Sequence, residues 1–394
     1  MSIFAAVMTG TGTGALSTIQ VFGDTTEGFI KQLFTPTGAG PAKFEAGKIL
    51  LGTIHDGGEV IDQVVIGCEG PETFAIHCHG NPLIAERIMQ LLQQHEATLL
   101  TAEQLLAAIL KARRAEDAIA IEAKLAQPKI KTLQGAKIVA GQIDAGLTLK
   151  ARDWLSRVDE ISLDKISTEA KQILQASQSA KLIIYGCTAV LAGPPNSGKS
   201  TLLNYLAGRR KSIVTDMEGT TRDWVEATCR FGPLSVTLID TAGLVRESPP
   251  AEQTIEQAAQ NKTAELLNQA DLVLLVLDNS QLAEKLDDCI IEKIAGRKVI
   301  TVLNKSDLPS RFDAGRLPES LSNTVQISAK QGDGIENLKE KIQQTCGAAD
   351  FDPQQPVCFT SRQENLLRQL IHVESKQQAA SNITGLLNGQ VEPG

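Results

Sequence analysis

No C-x-x-C pair occurs among the seven cysteines of this chain, Cys68, Cys78, Cys187, Cys229, Cys289, Cys346 and Cys358. Scattered and odd in number, they argue against a disulfide framework and a zinc site, and for a reducing compartment. There is no excess of basic residues. Thirty-eight Lys and Arg face 46 Asp and Glu, a net charge of −8, so a general attraction to nucleic acid or to an anionic membrane is not expected. There is no positive n-region before the apolar start Met1–Met8, hence no signal peptide is expected. There is no long apolar run either. The longest, Leu272–Leu277, has a strand's length, whereas a membrane span needs about 20 residues. What remains is a soluble, cytoplasmic, globular chain of 394 residues, long enough for two or three domains.

Residues 1–96 read as a small α+β domain. Strands are expected over Ile3–Val7, Ser17–Phe22, Gly47–His55, Val60–Gly67 and Glu72–His79, with a hairpin at Asp56-Gly57-Gly58-Glu59 and a helix over Pro82–Gln94. The Gly/Thr loop Met8–Gly14 lacks the βαβ setting of a dinucleotide site. His77 and His79 share a strand face, but two ligands alone make a poor metal site, and a strand end leading into the helix is favoured. Residues 97–180 read as helical, with breaks at Pro128 and near Gly146. Their Lys111-Ala112-Arg113-Arg114 cluster reads as a solvated face rather than an RNA contact. Residues 181–348 alternate strand and helix, the pattern of a doubly wound α/β domain. After a linker at Asp350–Pro356, residues 349–394 supply one more helix, about Ser361–Gln378, and a frayed end from Leu386.

The α/β segment carries the chemistry. Gly193-Pro194-Pro195-Asn196-Ser197-Gly198-Lys199-Ser200 fits G-x-x-x-x-G-K-[ST] and sits between an apolar strand, Cys187–Ala192, and a helix, Thr201–Ala207. Such a loop points successive N–H groups at phosphate oxygens, with the helix N-terminus adding partial positive charge. Lys199 is placed to reach the β- and γ-phosphates and Ser200 to ligate Mg²⁺; Thr201 follows them in the same set. Asp240-Thr241-Ala242-Gly243 ends a strand, where a carboxylate can hold Mg²⁺ through water and the glycine N–H can meet the γ-phosphate. Thr220 and Thr221 follow the first helix, where a threonine can complete Mg²⁺ coordination when the γ-phosphate is present. Asn304-Lys305-Ser306-Asp307 ends another strand. The Asp307 carboxylate suits the N1–H and 2-amine of guanine, which adenine lacks in that arrangement, and Lys305 lies along the base. Ser328-Ala329-Lys330 is expected to set backbone N–H groups on the guanine O6.

Together, G-P-P-N-S-G-K-S, E-G-T-T-R-D, D-T-A-G, N-K-S-D and S-A-K resemble the Era-related GTPases, and in detail the MnmE (TrmE) family of tRNA-modification GTPases. Gly70–Pro82 is similar to the family's strand ending in C-H-G-G-P, and Leu133–Ala136 and Thr360–Gln363 resemble its helical segments. The resemblance implies an N-terminal folate-type domain, a helical domain, and a P-loop GTPase domain inserted into the latter. It implies GTP and GDP as ligands, with Mg²⁺ at Ser200, Thr221 and Asp240. It implies K⁺ at Asn196, Thr215, Met217 and Thr220, from the match of Thr215–Thr221 to the family's potassium loop. No glutamine follows Gly243, and the family's downstream glutamate aligns with Glu256, with Glu252 as second choice; Glu256, Thr221 and Lys199 form the expected catalytic set. A homodimer through the N-terminal domain, a tRNA and a modification partner protein are implied as well. The chain departs from the family where G-E-F-[TS] gives way to Leu100–Leu105, where Gln20-Val21-Phe22-Gly23 replaces R-[IV]-S-G, and where no C-[ILV]-G-K follows Cys358. These departures put folate binding in doubt. They suggest a shortened member, and leave open a nucleotide-gated interaction protein without modification chemistry.

Overall fold

Two antiparallel and parallel ladders organise the chain, one in each of two compact units: Met1–Leu125 with Gly389–Gly394, and Ala126–Asn388. The computed structural model describes residues 3–10, 12–38, 43–112, 117–208, 225–240, 265–282, 291–292, 294–389 and 391.

The first unit is built on seven strands, β1 (Phe4–Val7), β2 (Leu16–Phe22), β3 (Phe34–Pro36), β4 (Ile49–Asp56), β5 (Glu59–Cys68), β6 (Thr73–His79) and β7 (Thr98–Leu99), in the order β3-β4-β5-β6-β2-β1-β7. Alternation explains the meander. In β2, Ser17, Ile19 and Val21 are buried while Leu16, Thr18, Gln20 and Phe22 are not, the mark of a sheet with one covered face. The cover includes helix α2 (Pro82–Gln94), which starts where expected: the Asn81 side chain accepts from the Leu83 N–H, and Pro82 needs no partner at the first position. Its Ile88, Leu91 and Leu92 are fully buried, each contributing roughly 1.5–3 kcal/mol. Helix α1 (Thr26–Leu33) and β3 had no expectation. The compact units divide after Leu125. Leu105 and Ile109 of helix α3 (Ala102–Ala112) pack with Ala6 of β1, which keeps this helix with the sheet. Helix α4 follows over Ala118–Ala126.

His77 and His79 go to separate partners. His79 Nδ1 lies 2.7 Å from Asp62 Oδ1 and its backbone N–H donates to Oδ2 at 2.9 Å, while His77 Nδ1 lies 3.0 Å from Thr18 Oγ1. Among the described residues there is no group of three or more metal-ligating side chains. Nor is any described helix long and apolar enough to cross a membrane.

The second unit opens with helices α5 (Leu133–Asp144), α6 (Gly146–Ser156) and α7 (Leu163–Tyr185). Gly186 turns α7 straight into β8 (Cys187–Ala192), the first strand of a six-stranded sheet. Helix α8 (Lys199–Ala207), β9 (Val225–Phe231), β10 (Leu234–Asp240), β11 (Leu272–Asp278), β12 (Val299–Asn304), β13 (Thr324–Gln326) and α9 (Ile335–Thr345) follow. The order is β13-β12-β11-β8-β10-β9, parallel except for the β9–β10 hairpin. Leu272–Leu277 and Val299–Asn304 are buried at every position, which is why both strands are dominated by apolar residues.

The chain then returns to the helices it left. Cys358 N–H donates to Ser177 Oγ at 2.8 Å, Tyr185 Oη donates to the Phe359 carbonyl at 2.7 Å, and Val357 N–H donates to Gln142 Oε1 at 3.0 Å. Helix α10 (Ser361–Ile371) packs on α7, tied by the Lys181–Glu364 ion pair. The single final helix expected to about Gln378 is two, α10 and α11 (Lys376–Asn388). Nor is the end frayed at Leu386, for Leu386 and Leu387 are buried in α11. Ser375 and Gln378 make the new start. Ser375 Oγ accepts from the Gln378 N–H at 3.2 Å, and Gln378 Oε1 accepts from the Glu374 N–H at 2.9 Å, a reciprocal cap.

Candidate functional site

Three loops meet at the C-terminal ends of β8, β12 and β13, parallel strands of one sheet, where open α/β sheets bind ligands. The first is Gly193–Ser200. Its backbone is forced by neighbours. Gly193 has φ 137°, and a Cβ there would lie 2.1 Å from the Val276 carbonyl of β11. Gly198 has φ 97°, and a Cβ there would lie 2.2 Å from Asn304 Nδ2. Asn196 is exposed and adopts φ 61° without being glycine, a conformation costing of order 1 kcal/mol that persists at over-determined sites. Helix α8 begins with no side-chain cap, and the start of a helix carries N–H groups and partial positive charge suited to an anion. Ser197 Oγ is buried and lacks a hydrogen-bond partner. An orphaned buried hydroxyl beside an uncapped helix start fits a phosphate-bearing ligand.

Lys199 is only 6% exposed. Its Nζ donates to the carbonyls of Gly193 at 2.9 Å and Pro194 at 2.8 Å, so the ammonium is folded back over the loop it belongs to. Ser200 Oγ donates to Asp240 Oδ2 at 2.6 Å, which brings the two described members of the expected magnesium set together from separate elements. Thr201 is exposed on the first turn of α8.

The second loop is Asn304–Asp307. Asn304 is 2% exposed and works as a strut. Its Nδ2 donates to the Ser197 carbonyl at 2.9 Å and its Oδ1 accepts from the Ala329 N–H at 3.0 Å, so one amide joins all three loops. Asp307 is exposed, with Oδ1 accepting from Ser328 Oγ at 2.8 Å. That bond orients the carboxylate and leaves oxygen lone pairs for a ligand. In the third loop, Ser328–Lys330, the N–H of Ser328 goes to the Asp333 carbonyl at 3.0 Å and that of Ala329 goes to Asn304. Two of the three N–H groups expected on a base are therefore used inside the protein. Lys330 is exposed.

Sequence reasoning passed over Asp278, at the end of β11. Lys305 Nζ lies 2.6 Å from Asp278 Oδ2, and Asp278 Oδ1 accepts from the N–H of Ser280 at 2.9 Å and from its Oγ at 2.7 Å. Burial pushes the Asp278 carboxyl up, but the bonds from Lys305 and Ser280 outweigh it and hold the group below its ordinary value. The available signal was positional: a carboxylate closing an apolar strand, β11, that lies between β8 and β12, the strands leading to the first two loops. Thr215, Met217, Thr220, Thr221, Thr241, Ala242, Gly243, Glu252 and Glu256 lie outside the described residues.

A family model described as a 50S ribosome-binding GTPase matches residues 188–305. Curated relatives match over most of the chain. The tRNA modification GTPase MnmE of Lactiplantibacillus plantarum is 30% identical over 377 residues, covering 86% of this chain and 80% of the relative. That of Clostridioides difficile is 27% identical over 375 residues, with the same coverage of both. Among solved structures, the G domain of the T. maritima FeoB iron transporter is 29% identical, covers 40% of this chain and 98% of that one, and has a TM-score of 0.31.

Proposed function

Because the chain belongs to the MnmE family of tRNA-modification GTPases, and so binds and hydrolyses GTP, we propose that its GTPase cycle serves modification of the tRNA wobble uridine. The observation that carries the reading is the joining of the three loops by Asn304, with Asp307 oriented beside them. In this reading the α8 N-terminus and Lys199 take the β- and γ-phosphates. Asp307 takes the N1–H and 2-amine of guanine, and the Lys330 N–H takes O6. Ser200, Asp240 and Thr221 hold Mg²⁺. Asn196, Thr215, Met217 and Thr220 hold K⁺. Such a monovalent cation supplies positive charge where the leaving oxygen becomes negative, the task an arginine finger performs elsewhere.

Glu256 orients the attacking water. Glu256→Ala is expected to slow single-turnover GTP hydrolysis by about a hundredfold while GTP affinity stays within about twofold. An equal loss in both would move the role to Glu252 or to another group.

Residues 1–96 are read as the folate-type, dimer-forming part, with a tRNA and a modification protein as partners. Expression in cells lacking their own MnmE tests the biological role. Restored wobble-uridine modification is the expected result. Folded, GTP-hydrolysing protein with unmodified uridine would favour a nucleotide-gated interaction protein instead.

A further inference from the structure

We propose that Asp278 is a positioning residue for the guanine base, acting through Lys305. The proposal rests on the base site described above. Lys305 adopts φ 66°, in a region that side-chain-bearing residues rarely occupy. Something must hold it there. From one side, the Asn279 N–H of β11's end donates to the Asn304 carbonyl at 2.8 Å, and the Ser306 N–H donates to the Ile327 carbonyl at 3.0 Å, which pins the backbone before and after Lys305. From the other side, Asp278 takes the ammonium at 2.6 Å.

The tether is itself fixed. Both Ser280 bonds converge on Asp278 Oδ1 and leave Oδ2 to Lys305. The next residue, Asn279, is 3% exposed, and its carbonyl accepts from the Arg311 N–H at 2.9 Å. The turn Asp278–Ser280 is thus anchored to the segments on both sides of the base loop. The pair is partly sheltered, with side-chain exposures of 32% for Lys305 and 16% for Asp278. An ion pair in such a setting is screened less than a surface pair.

A lysine stem presents methylenes, and its ammonium decides where they lie. With the ammonium held at Asp278, the far end of the stem is fixed before any nucleotide arrives. The ordering cost of that four-carbon chain is then met in advance, which favours binding through preorganisation. Contact with the face of a base does not read its edge. Asp278 therefore sets affinity for purine nucleotides, whereas Asp307 sets which purine.

A double-mutant cycle on the full chain tests this, with fluorescent GDP as the probe. Asp278→Asn is expected to weaken GDP by about tenfold, or about 1.4 kcal/mol, mostly through faster release. Lys305→Met is expected to weaken it comparably. The double variant is expected to be no weaker than Lys305→Met within about twofold, because the two substitutions break one interaction. The ratio of GDP to IDP affinity is expected to stay at its wild-type value throughout. Ser280→Ala, a milder change in a turn, is expected to cost about threefold alone and nothing in the Lys305→Met background. Additive losses, an unchanged GDP affinity in Asp278→Asn and Ser280→Ala, or a shifted GDP to IDP ratio would overturn the proposal. Wild-type competition between GDP and ADP checks the base site separately: no preference for GDP there would remove the underlying reading, not the tether alone.

Discussion

Lys199→Ala is expected to abolish nucleotide binding at micromolar protein. The Lys199 ammonium is buried and committed to the loop, 2.9 Å from the Gly193 carbonyl and 2.8 Å from that of Pro194. In the proposed reading it neutralises phosphate charge within a site whose other donors are uncharged. Removing one partner of a desolvated, charge-assisted contact costs roughly 2–5 kcal/mol, a loss of about 30- to 5,000-fold in affinity. Alanine also frees the two carbonyls, which then face the phosphates without a cation between them, so the expected loss lies toward the upper end. Lys199→Arg keeps the charge but replaces a compact ammonium by a planar fork, and is expected to bind weakly rather than not at all. Titration calorimetry with GDP reads both. An alanine variant within about threefold of wild type would contradict the phosphate assignment.

Asp307→Asn is expected to reverse base preference from guanine to xanthine. A carboxylate offers acceptors only, and guanine offers N1–H and the 2-amine as donors. The asparagine amide sets an NH₂ group against that amine, leaving two donors opposed and one unpaired. Xanthine carries a carbonyl at the same place, and the amide then pairs with it. Sites built to hydrogen-bond a ligand's polar groups reject the wrong partner strongly, and the ratio of GTP to XTP affinity is expected to fall by on the order of a thousandfold. The Ser328 hydroxyl that holds Asp307 Oδ1 at 2.8 Å also meets the amide oxygen of asparagine, so the side chain keeps its orientation. An unchanged preference would refute the guanine assignment.

The phosphate loop was legible because its signal is local. Strand β8 runs over Cys187–Ala192 as its apolar run announces, and α2 runs over Pro82–Gln94, bounded by an asparagine cap and a proline. Helix α1 escaped notice because it is short, holds Gly28 in its interior, and has no side-chain cap bond. It stands by burying Phe29, Ile30 and Leu33 in the core of its unit, which is tertiary support that no local propensity reveals. Helix α11 carried a local signal, the Ser375–Gln378 cap, beside an apolar spacing too sparse to draw attention. Asp278 and Asn304 mark a different limit. The motif names Asn304 as a residue of the site, but its role as a strut between loops depends on Ser197 and Ala329, 107 and 25 residues away. Asp278 belongs to no motif, and only the neighbouring register of β11 and β12, Asp278 opposite Asn304, brings it to Lys305.

The proposed function makes one claim central: that a monovalent cation of potassium's size, held at Asn196 and the Thr215–Thr221 segment, completes the catalytic site. GTP hydrolysis by the full chain, measured in KCl and then in NaCl at equal ionic strength, tests it most directly. The rate in KCl is expected to exceed that in NaCl by at least about tenfold, less than the roughly 100- to 1,000-fold lost when a charge-stabilising donor is removed outright, because Na⁺ carries the same charge. Equal rates in the two salts would contradict it.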